Sequence, residues 1–148
     1  MDDPMPQARP AFAWLLLPVV ILGFAALWAL AALYSGRQCS FMAVVGAVDV
    51  LWVLSLAPAS RVGPRALLAT VATAVLVLLA NWAIIAVNVG APLGLGPIDA
   101  MDKLGPHHAL TLARLANTGI DAVWIALALA VAIGGPALSA RRRALSTR

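Results

Sequence analysis

Long apolar runs separated by short polar segments make up most of the chain. Four such runs cover residues 11–33, 40–57, 66–89 and 109–135. At a rise of about 1.5 Å per residue, runs of this length cross most or all of a hydrocarbon core of about 30 Å. Lipid offers no water to backbone polar groups, so a spanning segment satisfies them within a helix. The pattern predicts an all-α, polytopic integral membrane protein with a bundle of four transmembrane helices.

The segments between and beyond these runs have their own signals. Residues 1–10 are polar and predict a disordered cytoplasmic lead, and residues 136–148 predict a basic cytoplasmic tail. The linker before the fourth run is rich in Gly and Pro, with Pro97 suited to a helix start and Gly105 to a helix end. We expect a short amphipathic helix at about 97–104 on the outer membrane interface, as a connector rather than a lid.

The first apolar run has a competing interpretation as a cleaved signal peptide. Ala29, Leu30 and Ala31 resemble a cleavage site. However, the run exceeds the usual apolar region of about 7–15 residues, and the lead carries Asp2 and Asp3. We therefore favour a membrane anchor.

Composition agrees with a lipid environment. The chain is 63% hydrophobic and 11% charged, whereas soluble domains are about 45–50% apolar and about 25% charged. Its net charge of +4 comes from basic residues at helix ends and in the tail, which topology explains without nucleic-acid binding.

The basic residues also predict an orientation. If the N-terminus is cytoplasmic, the opposite side holds only Arg37 and Lys103, with Arg114 just inside a helix. The cytoplasmic segments then hold most of the arginines, which are Arg9, Arg61, Arg65, Arg141, Arg142, Arg143 and Arg148. This asymmetry predicts a multi-pass protein of the cell inner (plasma) membrane with both termini cytoplasmic.

Ionisable groups inside a span cost about 2.5–3.5 kcal/mol on insertion scales, so they mark candidate sites. On one continuous fourth helix, residues from His107 to Asp121 share a polar stripe. Counting along straight helices puts Asp121 about 18 Å, and Asp49 and Asn81 about 14 Å, below the outer end. The depths predict a ligand- or proton-binding site open to the outer face, formed by Asp49, Asn81, Arg114, Asn117 and Asp121. The alternative is a purely structural network that sets helix register.

Two further sets of residues predict contacts with a helix or with lipid rather than a ligand-binding site. Ala122, Ala126, Ala130 and Gly134 recur every four residues, a spacing of small residues that favours close helix packing. The tail residues Arg141, Arg142 and Arg143 suit contact with anionic lipid headgroups.

The sequence lacks the motifs of several common catalytic and metal-binding sites. Cys39 is the single cysteine, which excludes an internal disulfide and a CxxC site. His107 and His108 are adjacent and point about 100° apart on a helix, which disfavours a shared metal or haem. Serine-hydrolase, zinc-protease and P-loop motifs are missing from the sequence. We predict no cofactor, no metal and no catalytic residue.

Three functional hypotheses remain from the sequence. The first is transport or proton and ion handling through the polar site. The second is an accessory subunit or immunity-type interaction protein of a membrane complex. The third is an enzyme that acts on a lipid-soluble substrate. The expected partners are the lipid bilayer and either further copies of the chain or another membrane protein, with no nucleic acid.

Overall fold

The computed structural model describes residues 10–56 and 62–146, and every regular element in these ranges is a helix. The all-α prediction is confirmed for this part of the chain. Residues 1–9, 57–61 and 147–148 lie outside it, so the predicted disordered lead at 1–10 falls almost entirely outside the described residues. The five α-helices are α1 Pro10–Ser35, α2 Met42–Ser55, α3 Val62–Gly90, α4 Pro97–Ala116 and α5 Gly119–Ser146, with a 3₁₀ turn at Ala91–Leu93.

Helices α1, α2, α3 and α5 pack side by side, and α3 contacts each of the others. Arg65, early in α3, donates to the carbonyl oxygen of Leu54 near the end of α2, so these two helices are antiparallel. Ser40 just before α2 meets Asp121 at the start of α5, so α2 and α5 begin at the same end of the bundle. The first residue of α1 and the last residue of α5 consequently lie toward the other end.

Small side chains allow the four helices to approach closely. The fully buried bulky residues are few, with Trp28 and Leu76 the largest. Lipid provides little hydrophobic drive between helices, so van der Waals contact between close backbones contributes much of the packing energy. The alanines with no exposed surface are Ala43, Ala47, Ala69, Ala80, Ala128 and Ala132.

In the described part of the chain, three helices are long and apolar enough to cross a membrane: Leu15–Ser35, Val62–Leu93 and Gly119–Arg141. The second predicted span is represented by α2, an apolar helix of 14 residues. Its length of about 21 Å at 1.5 Å per residue is less than a hydrocarbon core of about 30 Å. The structure thus has three candidate spans and one shorter apolar helix.

The predicted fourth helix at 109–135 is two helices in the structure. Helix α4 ends at Ala116, Asn117 is extended with φ −80° and ψ 129°, and α5 begins at Gly119. The break is stabilised because Thr118 precedes α5 and its backbone N–H donates to the Asp121 carboxylate, a helix-capping arrangement. The single stripe predicted from His107 to Asp121 is therefore wrong. Asp121 lies in the first turn of α5 rather than deep within a long helix.

Helix α4 has a second break within it. Gly105 has φ 66° and ψ 158°, a backbone conformation available to glycine, and Pro106 follows it. Proline cannot donate a helical hydrogen bond, so it suits the first position of a new helical segment. The segment at 97–104, where we expected a short amphipathic helix, is the first arm of α4, and residues 106–116 form the second arm.

Close contact between α3 and the first arm of α4 depends on Gly90. A Cβ atom at this position would lie 2.5 Å from the Cβ of Ala100, which is fixed to the backbone. Gly23 in α1, by contrast, has no atom within 4 Å of the equivalent position.

We expect Gly90→Ala to destabilise the folded protein by about 1–3 kcal/mol, because overpacking forces α4 away from α3. Gly23→Ala is the matched control, and we expect it to be neutral or stabilising, since alanine favours a helix. Denaturant unfolding in lipid–detergent bicelles measures both. Equal stability of the two variants would contradict the close α3–α4 contact.

Candidate functional site

A hydrogen-bonded cluster centred on Asn81 lies at one end of the bundle. The Asn81 side-chain oxygen accepts from Gln38 Nε2 at 2.8 Å and from Asn117 Nδ2 at 3.1 Å. The Asn81 amide nitrogen donates to the carbonyl oxygen of Val77 at 3.0 Å. The Asn81 side chain is buried, and both ends of its amide have partners. One side chain of α3 thus holds two distant segments of the chain.

Each of the two segments bound by Asn81 has a further anchor. The indole N–H of Trp28 donates to the backbone oxygen of Gln38 at 2.9 Å, which fixes the α1–α2 connection on α1. The Asn117 amide nitrogen also donates to the carbonyl oxygen of Ala113 at 2.8 Å, which closes the end of α4. These contacts help to hold the Gln38 and Asn117 amides in position for their hydrogen bonds to Asn81.

Asp121 forms the other half of the cluster. Its Oδ1 accepts from the Ser40 hydroxyl at 2.6 Å, and its Oδ2 accepts from the backbone N–H and the hydroxyl of Thr118, each at 2.7 Å. The carboxylate also lies in the first turn of α5, where a helix dipole favours negative charge. Asp121 therefore joins α5 to the α1–α2 connection.

We call this cluster the polar joint. It links the α1–α2 connection, α3 and the α4–α5 junction through side-chain hydrogen bonds, and its members are Gln38, Ser40, Asn81, Asn117, Thr118 and Asp121. Burying a polar group without a partner is costly, and these groups satisfy one another. The geometry is that expected for the structural alternative, a network that sets helix register.

Two of the predicted site residues lie apart from the polar joint. Asp49 is half-buried on α2, nine residues after Ser40, which places it about 14 Å farther along the bundle. Arg114 is exposed in the last turn of α4. In the described part of the chain, neither side chain forms a hydrogen bond or an ion pair. The structure thus brings together Asn81, Asn117 and Asp121 from the predicted set.

Gln38 and Ser40 were not predicted as site residues. Both lie in the short connection before α2, where polar residues are usually solvated loop positions. Their partners are 43 and 81 residues away along the chain. No local pattern predicts such pairs. A spacing signal did exist for Thr118 and Asp121, because a residue that caps a helix often has an acidic partner three positions later.

A half-enclosed cavity of about 320 Å³ lies between α3 and the second arm of α4. This volume lies at the lower end of the range for ligand pockets, about 300–1,000 Å³. Asn81 contributes to its wall, but the Asn81 amide is already hydrogen-bonded within the polar joint. The remaining wall is apolar apart from the indole N–H of Trp82. The residues around the cavity are Val75, Leu78, Leu79, Asn81, Trp82, Pro106, Ala109, Leu110 and Ala113.

The predicted packing residues of α5 face outward. Ala122, Ala126 and Ala130 are exposed, and Gly134 has open space where a Cβ atom would lie. A different face of α5 packs within the chain, since a Cβ atom at Gly135 would lie 2.5 Å from the Leu51 side chain. Any helix packed on the predicted stripe would thus belong to another molecule.

The basic residues of the tail and of α4 are at the surface where described. Arg141 is exposed, and the side chains of Arg142 and Arg143 lie outside the described part. His107 and His108 are exposed, with their rings edge to face and 5.9 Å between centroids.

Comparison with known proteins adds no relative. No protein-family model matches the chain, and neither a curated protein nor a solved structure is significantly similar to it. Within residues 10–56 and 62–146, no three His, Cys, Asp or Glu side chains come together as a metal site would require. A functional argument for this chain therefore starts from the polar joint and the adjoining cavity.

We expect Asn81→Ala to lower the free energy of unfolding by about 1–3 kcal/mol, because Gln38 and Asn117 lose a shared acceptor. Asn88→Ala is the matched control. Asn88 is on the same helix and donates to the Ile84 carbonyl, but its side chain is exposed. Unfolding in bicelles, followed by circular dichroism, measures both variants. A loss of stability that is the same for the two would mean that the cross-helix bonds contribute nothing.

Substitutions of Asp121 and Asp49 should have different effects on the stability of the protein. Asp121→Asn removes a charged acceptor for Ser40 and Thr118 and should reduce the amount of folded protein in membranes several-fold. Asp49→Asn removes a half-buried carboxylate that has no partner in the described part, so we expect unchanged or higher stability. Folded protein after mild solubilisation, measured by size-exclusion chromatography, distinguishes them. Equal loss for both would contradict the separation of Asp49 from the polar joint.

Proposed function

We propose that this chain is a multi-pass inner-membrane protein that binds a lipid-soluble ligand in the cavity between α3 and α4. The apolar, half-enclosed cavity of about 320 Å³ is the observation that carries the proposal. The contacts among α1, α2, α3 and α5 bury many alanines, whereas α3 and the second arm of α4 leave this apolar space between them. Apolar walls exclude ions and favour the hydrocarbon part of a ligand.

The side chains of α4 support a position of the cavity near the membrane interface. Lys103, His107 and His108 are exposed and polar, while the same helix contributes Ala109 and Ala113 to the cavity. A helix with one polar and one apolar face lies along the membrane interface. We propose that α4 lies at the outer interface, with the cavity open toward lipid and both termini in the cytoplasm.

The other site-based hypotheses find less support in the geometry. Ion or proton handling needs ionisable groups along a path, but Asp49 lies about 14 Å from the level of Asp121. An enzyme acting on a lipid-soluble substrate needs an acid–base group at the substrate. The histidines are exposed on α4 and do not line the cavity. Ligand binding requires neither arrangement.

Filling the cavity tests the proposal. We expect Ala113→Leu to reduce labelling of α3 and α4 by a phospholipid analogue with a photoreactive acyl chain about tenfold, because the larger side chain occupies the cavity. Peptide mass spectrometry locates and quantifies the label. Ala26→Leu makes the same change at an exposed position on α1 and should leave the labelling unchanged. Equal labelling of Ala113→Leu and the native chain would overturn the proposal.

A second candidate function rests on the outward face of α5. This helix has 17% of its candidate span buried, against 50% for α3, and its exposed face carries small residues every four positions. Such a face suits close contact with a helix of another molecule. We propose this surface as the contact for an accessory-subunit or immunity-type role, with a second copy of the chain or another membrane protein as the partner.

We expect Ala126→Leu and Ala130→Leu to abolish association while leaving the fold intact, because both side chains point away from the chain's own core. Cross-linking in membranes, followed by intact-mass measurement of the gently solubilised protein, reports the partner and its stoichiometry. Ala26→Leu again serves as the control on a different helix. A partner that is recovered equally from all three variants would contradict this role for α5.

A further inference from the structure

We propose that the ligand is an anionic phospholipid, with an acyl chain in the α3–α4 cavity and its phosphate in a second cleft on α4. This inference rests on the proposed function, because it names the class of ligand that the cavity holds. It adds a headgroup site that the apolar cavity alone does not imply. Two separate features of α4, one apolar and one basic, carry it.

The second cleft extends across the break at Gly105, because its lining includes residues of both arms of α4. Its polar groups are the Lys103 ammonium, the two imidazole rings and the Thr111 hydroxyl, all of which can donate hydrogen bonds. No carboxylate is among the residues that line it, which are Lys103, Leu104, His107, His108, Thr111 and Leu112. A donor-rich cleft with a lysine suits a phosphate group.

Two acidic residues of the first arm of α4 lie near the cleft in sequence. Asp99 and Asp102 are both exposed, and neither lines the cleft. The Asp99 carboxylate is within 4 Å of the position that a Cβ atom on Gly96 would occupy, so it lies back toward the start of the helix. Lys103 therefore contributes its ammonium charge to the cleft without a carboxylate in the lining.

The cavity and the cleft are close enough for one lipid molecule. Both use the second arm of α4: Pro106, Ala109 and Ala113 line the cavity, while His107 and Thr111 line the cleft. An α-helix with its side chains is only about 10–12 Å across. A phospholipid acyl chain is longer than this width, so a lipid with its phosphate in the cleft can pass its chain beside the arm into the cavity.

The cavity wall also contains a polar group that lacks a partner. The indole N–H of Trp82 is buried and, among the described residues, has no hydrogen-bond acceptor. An unsatisfied buried donor is unfavourable, and native proteins rarely keep one. This unpaired donor marks the cavity as a space whose occupant could supply a hydrogen-bond acceptor to α3.

Photoreactive lipids with identical acyl chains and different headgroups test this inference. The native protein is placed in phosphatidylcholine vesicles with a trace of photoreactive phosphatidylglycerol or of photoreactive phosphatidylcholine. We expect at least fivefold more labelling of α3 and α4 by the phosphatidylglycerol probe. The triple variant Lys103→Gln, His107→Gln, His108→Gln should label with both probes at the lower, phosphatidylcholine level. Arg37→Gln removes an exposed cation from another segment and should keep the preference.

The outcomes separate this inference from the proposed function. Equal labelling by both probes in the native chain would overturn the anionic-lipid inference and leave the cavity as a general lipid site. No labelling of α3 and α4 by either probe would overturn the proposed function itself. If the two probes label equally and inorganic phosphate binds the native protein but not the triple variant, the cleft binds free phosphate, and the lipid headgroup assignment is wrong.

Discussion

The oxygen of one buried amide, that of Asn81, accepts hydrogen bonds from two segments that are far apart in the chain. Gln38 Nε2 also lies 3.4 Å from the Asn117 side-chain oxygen, so the three amides form one connected network. Because an unpaired amide in apolar surroundings is costly, the three side chains hold one arrangement. The positions of the α1–α2 connection and of the α4–α5 junction both depend on this arrangement.

The polar joint also explains why a cavity exists beside it. Buried alanines let α1, α2, α3 and α5 pack closely, and this packing continues along the bundle. Helix α4 instead has to reach Asn81 with its last residues while its first arm rests against Gly90. The break at Gly105 bends α4 between these two attachments. The second arm lines this space mainly with Pro106, Ala109 and Ala113, and the space between the arm and α3 is the cavity.

Much of the fold was predictable because lipid imposes helices on long apolar runs. The approximate positions of α1, α3 and the start of α4 follow from hydropathy together with Pro97 and Gly105. The break before α5 was missed because its residues also suit a continuous helix. The spacing of Thr118 and Asp121 was the signal against that interpretation. With the break missed, counting along a straight helix placed Asp121 too deep.

The candidate site was predictable only in part. Asn81, Asn117 and Asp121 were identified because polar residues are rare in apolar segments. Asp49 and Arg114 were grouped with them by an estimate of depth, which carries no information about which helix faces which. Gln38 and Ser40 pair across long sequence separations, and the apolar cavity depends on how two helices are held. Neither can be read from a local pattern.

A double-mutant cycle between Gln38 and Asn81 tests the central claim most directly, since it isolates the bond between them from other effects of each substitution. The free energy of unfolding in bicelles would be measured for the native chain, Gln38→Ala, Asn81→Ala and the double variant. Hydrogen bonds between membrane helices couple by about 0.6 kcal/mol on average and up to about 1.7 kcal/mol. We predict a favourable coupling of at least about 0.6 kcal/mol. Additive losses, with no coupling, would contradict the polar joint.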